Sequence, residues 1–321
     1  MHGSVSHNLS PRCGGCSQCV HGDKLKTMSM AIPGPVSRTY FSQRLRLNFV
    51  DWGNTEAPPL LLIHGGLDHC RNWDWVAERL RSDWHIIAPD LRGHGDSAWS
   101  PDGNYSVAAH LYDLSQLIDQ QKLEPVTIIS HSFGAHLSLR YAGIFPDKVK
   151  KLIAIEGVFP PRAQIAEEMK TDVAERLRNW IANERKMAGR QPRRYQMIED
   201  AFRRMRDENK RLTAVQARHL TQHGMHQNED GTFSWKFDNY VRNRAPHDVT
   251  GEELEELWRN ITCPTLHVYG TDSWMEDPQS GGRMGLFQNA QLAKFDGAGH
   301  WVHHDQLDAF ITTVQEFLQE Q

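Results

Sequence analysis

The stretch VTIISHSFGAHLSLRYAG, residues 126–143, decides the fold of this chain. Residues 126–129 are all β-branched and mostly apolar, which is typical of a buried strand, whereas residues 133–141 carry apolar side chains at helical spacing. Only the tripeptide Ser-His-Ser separates the two halves, and Ser132 is its last residue. The sequence therefore predicts a very tight strand-to-helix turn with a hydroxyl group at its apex.

Such a turn strains the backbone of its apex residue and leaves room only for small side chains two residues before and after it. Ser130 and Gly134 occupy those positions around Ser132. The turn lifts the hydroxyl above the sheet, beside the N-terminus of the next helix, where the N–H of Phe133 can donate to an oxyanion. We predict a nucleophile elbow with Ser132 as nucleophile, although Ser130 replaces the first glycine of the usual G-x-S-x-G pattern. The alternative is an ordinary turn without a catalytic role.

Strand and helix patterns alternate on either side of this turn. Uninterrupted apolar runs such as PLLLI (residues 59–63) indicate strands that are buried on both faces. The predicted fold is α/β, with a mostly parallel central sheet, helices on both of its faces and an inserted helical cap. Residues 31–159 and 251–321 form the predicted core domain and residues 160–250 the cap. The alternative for the cap is a surface elaboration or a dimerisation arm.

Residues 1–30 show neither helical nor strand periodicity, and we expect a disordered leader or an added extension. Cys13, Cys16, Cys19 and His21 have gaps that suit zinc ligands, but the second half of a zinc site is missing. No metal is expected.

Composition excludes several classes of protein. A formal net charge of −4 at pH 7 gives no electrostatic case for nucleic acid as a partner. No apolar run is long enough to span a bilayer, and the first 30 residues lack the apolar stretch of a signal peptide. The odd number of cysteines does not suggest a disulfide framework, so a cytoplasmic location is expected.

A serine nucleophile needs a histidine base and a carboxylate that orients it. The glycine-rich turn around His300 favours this residue as the base; His303 and His304 also compete, but they fall in the first turn of the next helix. Asp272, just past the penultimate strand, is the predicted acid, with Glu156 at the end of an earlier strand as its rival.

The second oxyanion donor is predicted in the loop after PLLLI. The N–H of Gly66 is the first choice, with Leu67 next, and it acts together with the N–H of Phe133. His64 is interpreted as a loop-fixing partner and DLRGHGDS (residues 90–97) as structural bracing.

Substrate contacts are predicted for Leu67, Trp274 and Trp301, which favours an acyl group of limited polarity. Three arginines of the cap could steer an anionic substrate: Arg203, Arg204 and Arg206. The alternative is a solvent-exposed helix face, which is the usual role of a run of arginines.

In chain order, HGG, DLRGHGDS, SHSFG, GTD and GAGHW resemble the α/β-hydrolase superfamily from about residue 40 to residue 321. The cap segment RYQMIEDAFRRMRDENKRLTAVQARHLTQHGMHQNEDGTFSWKFD, residues 194–238, is similar to that of the serine hydrolase-like proteins, which implies a carboxylic-ester-type hydrolase. The motifs say little about the substrate, because this fold hosts many chemistries.

We therefore expect a serine esterase that forms an acyl-enzyme on small to medium acyl substrates, without a metal or organic cofactor. A lactonase is the nearest alternative, and carbon–carbon bond hydrolysis or perhydrolysis could use the same triad. A non-catalytic ligand-binding protein would need a broken triad. The oligomeric state cannot be read from the sequence.

Overall fold

The computed structural model describes residues 34–158, 170–243 and 248–320. The leader predicted over residues 1–30, with its cysteines and His21, lies outside these ranges. Residues 32–321 form one compact unit.

An eight-stranded sheet organises this unit. Its strand order is β1-β2-β4-β3-β5-β6-β9-β10, and a separate two-stranded hairpin is formed by β7 and β8. The pairs β1–β2 and β2–β4 are antiparallel, whereas all neighbours from β4 to β10 are parallel. The strands are β1 (Val36–Ser42), β2 (Leu45–Asp51), β3 (Pro59–Ile63), β4 (His85–Pro89), β5 (Val126–His131), β6 (Val149–Ile155), β7 (Met225–Gln227), β8 (Phe233–Trp235), β9 (Thr265–Gly270) and β10 (Ala290–Phe295).

Helices cover both faces of the sheet, as predicted. Those of the described residues are α1 (Asp74–Leu80), α2 (Val107–Gln120), α3 (Phe133–Ile144), α4 (Val173–Ala188), α5 (Ile198–Glu208), α6 (Ala214–Gly224), α7 (Gly251–Arg259), α8 (Val302–Asp305) and α9 (Leu307–Gln319).

The apolar run of β3 shows why a strand buried on both faces lacks polar alternation. Successive side chains point to opposite faces of a sheet. Leu61 and Ile63 pack in one core cluster with α2, α3 and α7, whereas Leu60 and Leu62 pack in a second cluster with α1 and α9. Full burial of each such side chain contributes about 1.5–3 kcal/mol, so both faces stabilise the sheet.

The insertion between β6 and α7, residues 160–250, is mainly helical over the part that the structure describes. Its helix α4 has no buried residue, whereas α5 and α6 bury one side of themselves in two small clusters. The hairpin β7–β8 was not predicted. Its strands have only three residues each, too few for a periodic pattern, and they are joined by the turn residues Asp230 and Gly231, the latter with a φ of 82°.

Candidate active site

Ser132 occupies the predicted sharp turn. The strand β5 ends at His131, α3 begins at Phe133, and Ser132 between them has φ 51° and ψ −116°. A positive φ is uncommon for a residue with a side chain, and a residue held in such a sparsely populated region costs about 1–3 kcal/mol. The Ser132 N–H donates to the carbonyl of Ile155 at 2.8 Å, and its carbonyl accepts from the N–H of His136 at 2.9 Å. The strained conformation is therefore held by the adjacent strand and by the first turn of α3.

The space around the turn explains the small residues on both sides of it. A Cβ atom on Gly134 would lie 2.5 Å from the carbonyl oxygen of His64. Ser130 is fully buried, and its hydroxyl lies 3.3 Å from the carbonyl oxygen of Ile153. Serine thus fits where the usual pattern has glycine, because its hydroxyl reaches the neighbouring strand.

His300 follows β10 in a glycine-rich loop and lines the same cavity as Ser132. Its Nδ1 atom lies 3.3 Å from Oε2 of Glu156. Its ring centroid lies 4.9 Å from that of Trp274 and 4.7 Å from that of His131. The ring is therefore held between aromatic neighbours with one nitrogen against a carboxylate.

Glu156 is a buried residue that directly follows the last residue of β6 and has a φ of 54°. Its Oε1 atom accepts from the N–H of Gly270 at 2.8 Å, and its Oε2 atom accepts from the hydroxyl of Ser273 at 2.5 Å. These bonds fix a buried carboxylate beside His300, as the orienting acid of a triad requires.

The expectation that Asp272 lies against His300 is wrong. Among the described residues, the recorded carboxylate partner of His300 is Glu156. The carboxylate of Asp272 is half exposed and pairs with Nη2 of Arg211 in the insertion at 2.7 Å. The reason is position: Asp272 lies two residues beyond the end of β9, whereas Glu156 leaves β6, the strand next to β5, without any intervening loop. That adjacency was the signal that could have favoured Glu156.

The loop after β3 passes directly over the turn. A Cβ atom on Gly65 would lie 2.8 Å from Nδ1 of His131 and 3.2 Å from Cβ of Ser132, and one on Gly66 would lie 3.9 Å from Cβ of Phe133. Phe133 is the first residue of α3, so its N–H has no partner within the helix. The two predicted oxyanion donors, on Gly66 and Phe133, are thus on neighbouring segments that both line the cavity.

His64 holds this loop, as interpreted from the sequence. Its Nε2 atom accepts from the N–H of Leu91 at 3.0 Å, which places the proton on Nδ1, and Nδ1 donates to the carbonyl of Gly65 at 2.7 Å. Burial, the largest cause, lowers the pKa of His64 well below its ordinary value. A neutral, doubly bonded imidazole braces the loop and has no nitrogen left for catalysis.

The segment 90–97 also braces the site. Asp90 accepts from the N–H of Cys70 at 2.7 Å, the side-chain amide of Asn48 at 2.8 Å and the N–H of Asp96 at 2.9 Å. Asp96 pairs with Lys236 at 2.7 Å, which ties this loop to the insertion. These contacts support the structural interpretation of DLRGHGDS.

A set of buried residues behind His300 escaped the sequence analysis. Nε2 of His131 lies 3.0 Å from the carbonyl oxygen of His300, and Nε2 of His303 lies 2.7 Å from Oδ1 of Asn72. Burial lowers the pKa of His131 and of His303 well below the ordinary value. Neither His303 nor His304 is among the residues that line the cavity, whereas His300 is. Isolated histidines in a sequence carry no signal for such packing.

The cavity above Ser132 has a volume of about 1650 Å³ and lies between the core and the insertion. Leu67, Trp274 and Trp301 all line it, together with Phe133. Trp274 is 76% exposed, so it lies at an open edge of the cavity. The role of these residues in substrate binding stays a prediction.

One group of described residues has the spacing of metal ligands, namely Asp74, His219 and His223, whose ligand atoms lie within 4.8 Å of one another. Arg71 already donates to the carboxylate of Asp74 from Nε at 2.8 and 2.9 Å. Nε2 of His219 lies 3.0 Å from the same carboxylate. This ion-pair network joins α1 to α6 and lies apart from the residues that line the cavity.

In the part of the chain that the structure describes, no helix combines the length and apolarity needed to cross a membrane. The sequence profile of the alpha/beta hydrolase fold family matches residues 58–307.

Two curated relatives and one solved structure illustrate the similarity. The esterase YbfF of Escherichia coli (strain K12) is 25% identical over 82% of this chain and 93% of its own length. A serine hydrolase-like protein of Danio rerio is 24% identical over 84% of both chains, which agrees with the resemblance inferred from the cap. The thioesterase domain from the curacin biosynthetic pathway superposes with a TM-score of 0.74 and 24% identity, covering 88% of this chain and all of that domain, which supports the fold alone.

Three features agree with these matches: the sheet order, the strained serine at the strand-to-helix turn, and a histidine that lines the same cavity and contacts a buried carboxylate. The profile covers well over half of the chain. This chain therefore belongs to the alpha/beta hydrolase fold family and is a hydrolase.

Proposed function

We propose that this protein is a serine esterase that cleaves carboxylic esters through an acyl-enzyme, with Ser132, His300 and Glu156 as its triad. The observation that carries the proposal is the strained Ser132 at the N-terminus of α3, which lines the same cavity as His300. Nδ1 of His300 lies 3.3 Å from the buried carboxylate of Glu156. Strain is kept where surrounding structure enforces it, and active sites are the common place for it.

In the proposed mechanism, the Ser132 hydroxyl oxygen attacks the acyl carbonyl while Nε2 of His300 takes its proton. The N–H groups of Phe133 and Gly66 donate to the resulting oxyanion. The tetrahedral intermediate collapses, the bond to the alcohol oxygen breaks, and His300 returns the proton to the leaving alcohol. Water, deprotonated by His300, then attacks the acyl-enzyme, and the acid leaves as Ser132 regains its proton.

Glu156 acts through His300. Its carboxylate accepts the Nδ1–H of the imidazole, which leaves Nε2 free to face Ser132, and it stabilises the imidazolium that forms in each step. Asp272 has a different role in this proposal: its ion pair with Arg211 links the insertion to the loop that precedes His300, because Arg211 also donates to the carbonyl of Gly297 at 2.5 Å.

Hydrolysis of p-nitrophenyl esters from acetate to palmitate tests the proposal. We expect turnover in the wild type, with an acyl-length optimum set by the cavity, and its loss in Ser132→Ala. Ser130→Ala is the matched control, because it removes a buried hydroxyl two residues away without touching the nucleophile. Equal ester turnover in Ser132→Ala and the wild type would overturn the proposal. Absence of turnover with every ester would favour lactones or carbon–carbon substrates for the same triad, or a ligand-binding protein without catalysis.

A further inference from the structure

A buried arginine side chain lines the cavity and has no role in the proposed mechanism. Arg140 lies on α3, is 2% exposed and is one of the residues that line the cavity. Phe133, His136 and Arg140 follow one another at helical spacing on the cavity side of α3. At 1.5 Å per residue, Arg140 is about 10 Å along the helix axis from Phe133.

In the part of the chain that the structure describes, only one nitrogen of this guanidinium has a hydrogen-bond partner. Nη1 of Arg140 donates to both carboxylate oxygens of Asp248, each at 2.9 Å. Nε of Arg140 is buried without a hydrogen-bond partner, and no hydrogen bond to a described residue is recorded for Nη2. Arginine presents five donors in a planar fork, and a buried donor left unpaired is costly.

Arg92 in the same protein is a buried arginine in which each of the three guanidinium nitrogens has a hydrogen-bond partner. Its Nε and Nη2 donate to the two carboxylate oxygens of Asp113 at 2.6 and 2.7 Å, and Nη1 donates to the carbonyl of Asn104 at 3.1 Å. The Nε–Nη2 edge, which binds Asp113 in Arg92, has no hydrogen-bond partner among the described residues in Arg140. A carboxylate fits that edge with two parallel hydrogen bonds.

Asp248 is a weak occupant of the remaining edge. Its side chain is 41% exposed, whereas that of Arg140 is 3% exposed. An ion pair with one partner in water gains little net free energy. Asp248 therefore gives the guanidinium one ion-pair partner but uses only part of its hydrogen-bonding capacity.

We propose that Arg140 is a substrate-binding residue that recognises a second carboxylate on the acyl part of the substrate. The preferred substrates are then monoesters of dicarboxylic acids, in which several methylene groups separate the scissile carbonyl from the free carboxylate. Apolar lining near both ends of the α3 face, from Phe133 to Val249 and Leu254, suits the methylene chain between them. This inference rests on the proposed esterase function and specifies its substrate class.

The test compares two substrates of equal length, mono-p-nitrophenyl suberate with a free carboxylate and its neutral methyl ester, together with the adipate and sebacate pairs. Release of p-nitrophenol gives kcat/KM for each. In the wild type we expect the charged ester to exceed its neutral counterpart by about 10-fold to 100-fold at the best length, because hydrogen bonds to charged groups are among the strong ones.

Three variants locate the preference. Arg140→Met should reduce the charged-to-neutral ratio to one or below. Asp248→Asn should raise it, because the competing anion is removed while the arginine stays. Arg203→Met is the charge-matched control: Arg203 is exposed, pairs with Asp200 on α5 and does not line the cavity, so the wild-type ratio should persist. Thermal unfolding of each variant checks its fold. If Arg140→Met does not fold, the charged-to-neutral ratio of Asp248→Asn tests the proposal, and a ratio that does not rise would overturn it.

Failure of this inference is distinguishable from failure of the esterase proposal. If neutral esters are cleaved but the charged esters are not preferred at any length, or if Arg140→Met keeps the wild-type ratio, the carboxylate subsite is wrong and the esterase stands. If no ester is cleaved, calorimetric binding of monomethyl suberate to Ser132→Ala decides. Binding that Arg140→Met abolishes supports the subsite, and equal or absent binding in both overturns it.

Discussion

The core and the insertion differ in how tightly their residues are constrained, although both contribute to one cavity. Around Ser132, neighbouring strands, a buried carboxylate and a glycine without space for a methyl group fix each side chain. In the insertion, α4 buries no residue, and contacts to the core include the exposed pair Arg211–Asp272. The proposed triad thus lies in the tightly constrained core, whereas the more loosely held insertion lines part of the cavity above it.

The largest effect is expected for Ser132→Ala in the core. Loss of a triad nucleophile removes the acyl-enzyme route, so kcat for the best p-nitrophenyl ester should fall by at least about 10⁴. Ser130→Ala should retain ester turnover close to that of the wild type. Steady-state kinetics of the two purified variants provide the measurement. A similar fall of kcat in both variants would mean that the substitutions disrupt the packing of the turn, and the loss could then not be assigned to the nucleophile.

Glu156 and Asp272 are expected to differ clearly in their effect on kcat, because Glu156 is fixed within the core whereas Asp272 pairs with Arg211 of the insertion. Glu156→Gln should lower kcat by about 10⁴, since an amide no longer stabilises the imidazolium or fixes its tautomer. Asp272→Asn removes only a half-exposed pair with Arg211, which is worth at most about 1 kcal/mol, so kcat should change less than about 5-fold. The opposite ranking would return the role of triad acid to Asp272.

A pair of glycines tests the same contrast in stability. A Cβ atom on Gly143 of α3 would lie 2.2 Å from the carbonyl oxygen of Leu257 in α7. Gly143→Ala should therefore destabilise the fold by about 1–3 kcal/mol through overpacking. Denaturant unfolding of the purified variant measures this; an unchanged midpoint would show that α3 and α7 separate easily.

The smallest effect is expected for Gly189→Ala at the end of α4. Among the described residues, no heavy atom outside the adjacent chain and the backbone of the helix lies within 4 Å of the added Cβ, and φ is −85°, which alanine adopts without strain. The free energy of unfolding should stay the same or rise by up to about 1 kcal/mol, because alanine restricts the unfolded chain. Marked destabilisation would indicate that the insertion is packed more tightly there than its contacts suggest.

The sequence predicted the features of the site that follow from chain-local constraints. Ser132, His300 and the bracing role of His64 could be inferred because a tight turn, a glycine-rich loop and an apolar strand each leave a local pattern. The choice between Glu156 and Asp272 could not, because it depends on which of two strand ends carries its carboxylate into contact with His300. The path of one or two loop residues after each strand sets the position of the carboxylate, and the sequence does not reveal that path.

The insertion was predictable only in outline. Its helices follow from charge-rich periodic segments, but the hairpin β7–β8 is too short to leave a pattern. The ion pair of Arg140 with Asp248 joins residues that lie 108 positions apart. No local signal distinguishes Arg140 from the solvated arginines of α5, although its burial is entirely different.

Covalent labelling with a fluorophosphonate tests the central claim most directly, because this reagent reacts with an activated serine hydroxyl. Peptide mass spectrometry of the labelled wild type should place one adduct on Ser132. Labelling should be absent in Ser132→Ala, strongly slowed in Glu156→Gln and nearly unchanged in Asp272→Asn. An adduct on another serine, or equal labelling rates in Glu156→Gln and the wild type, would contradict the triad proposed here.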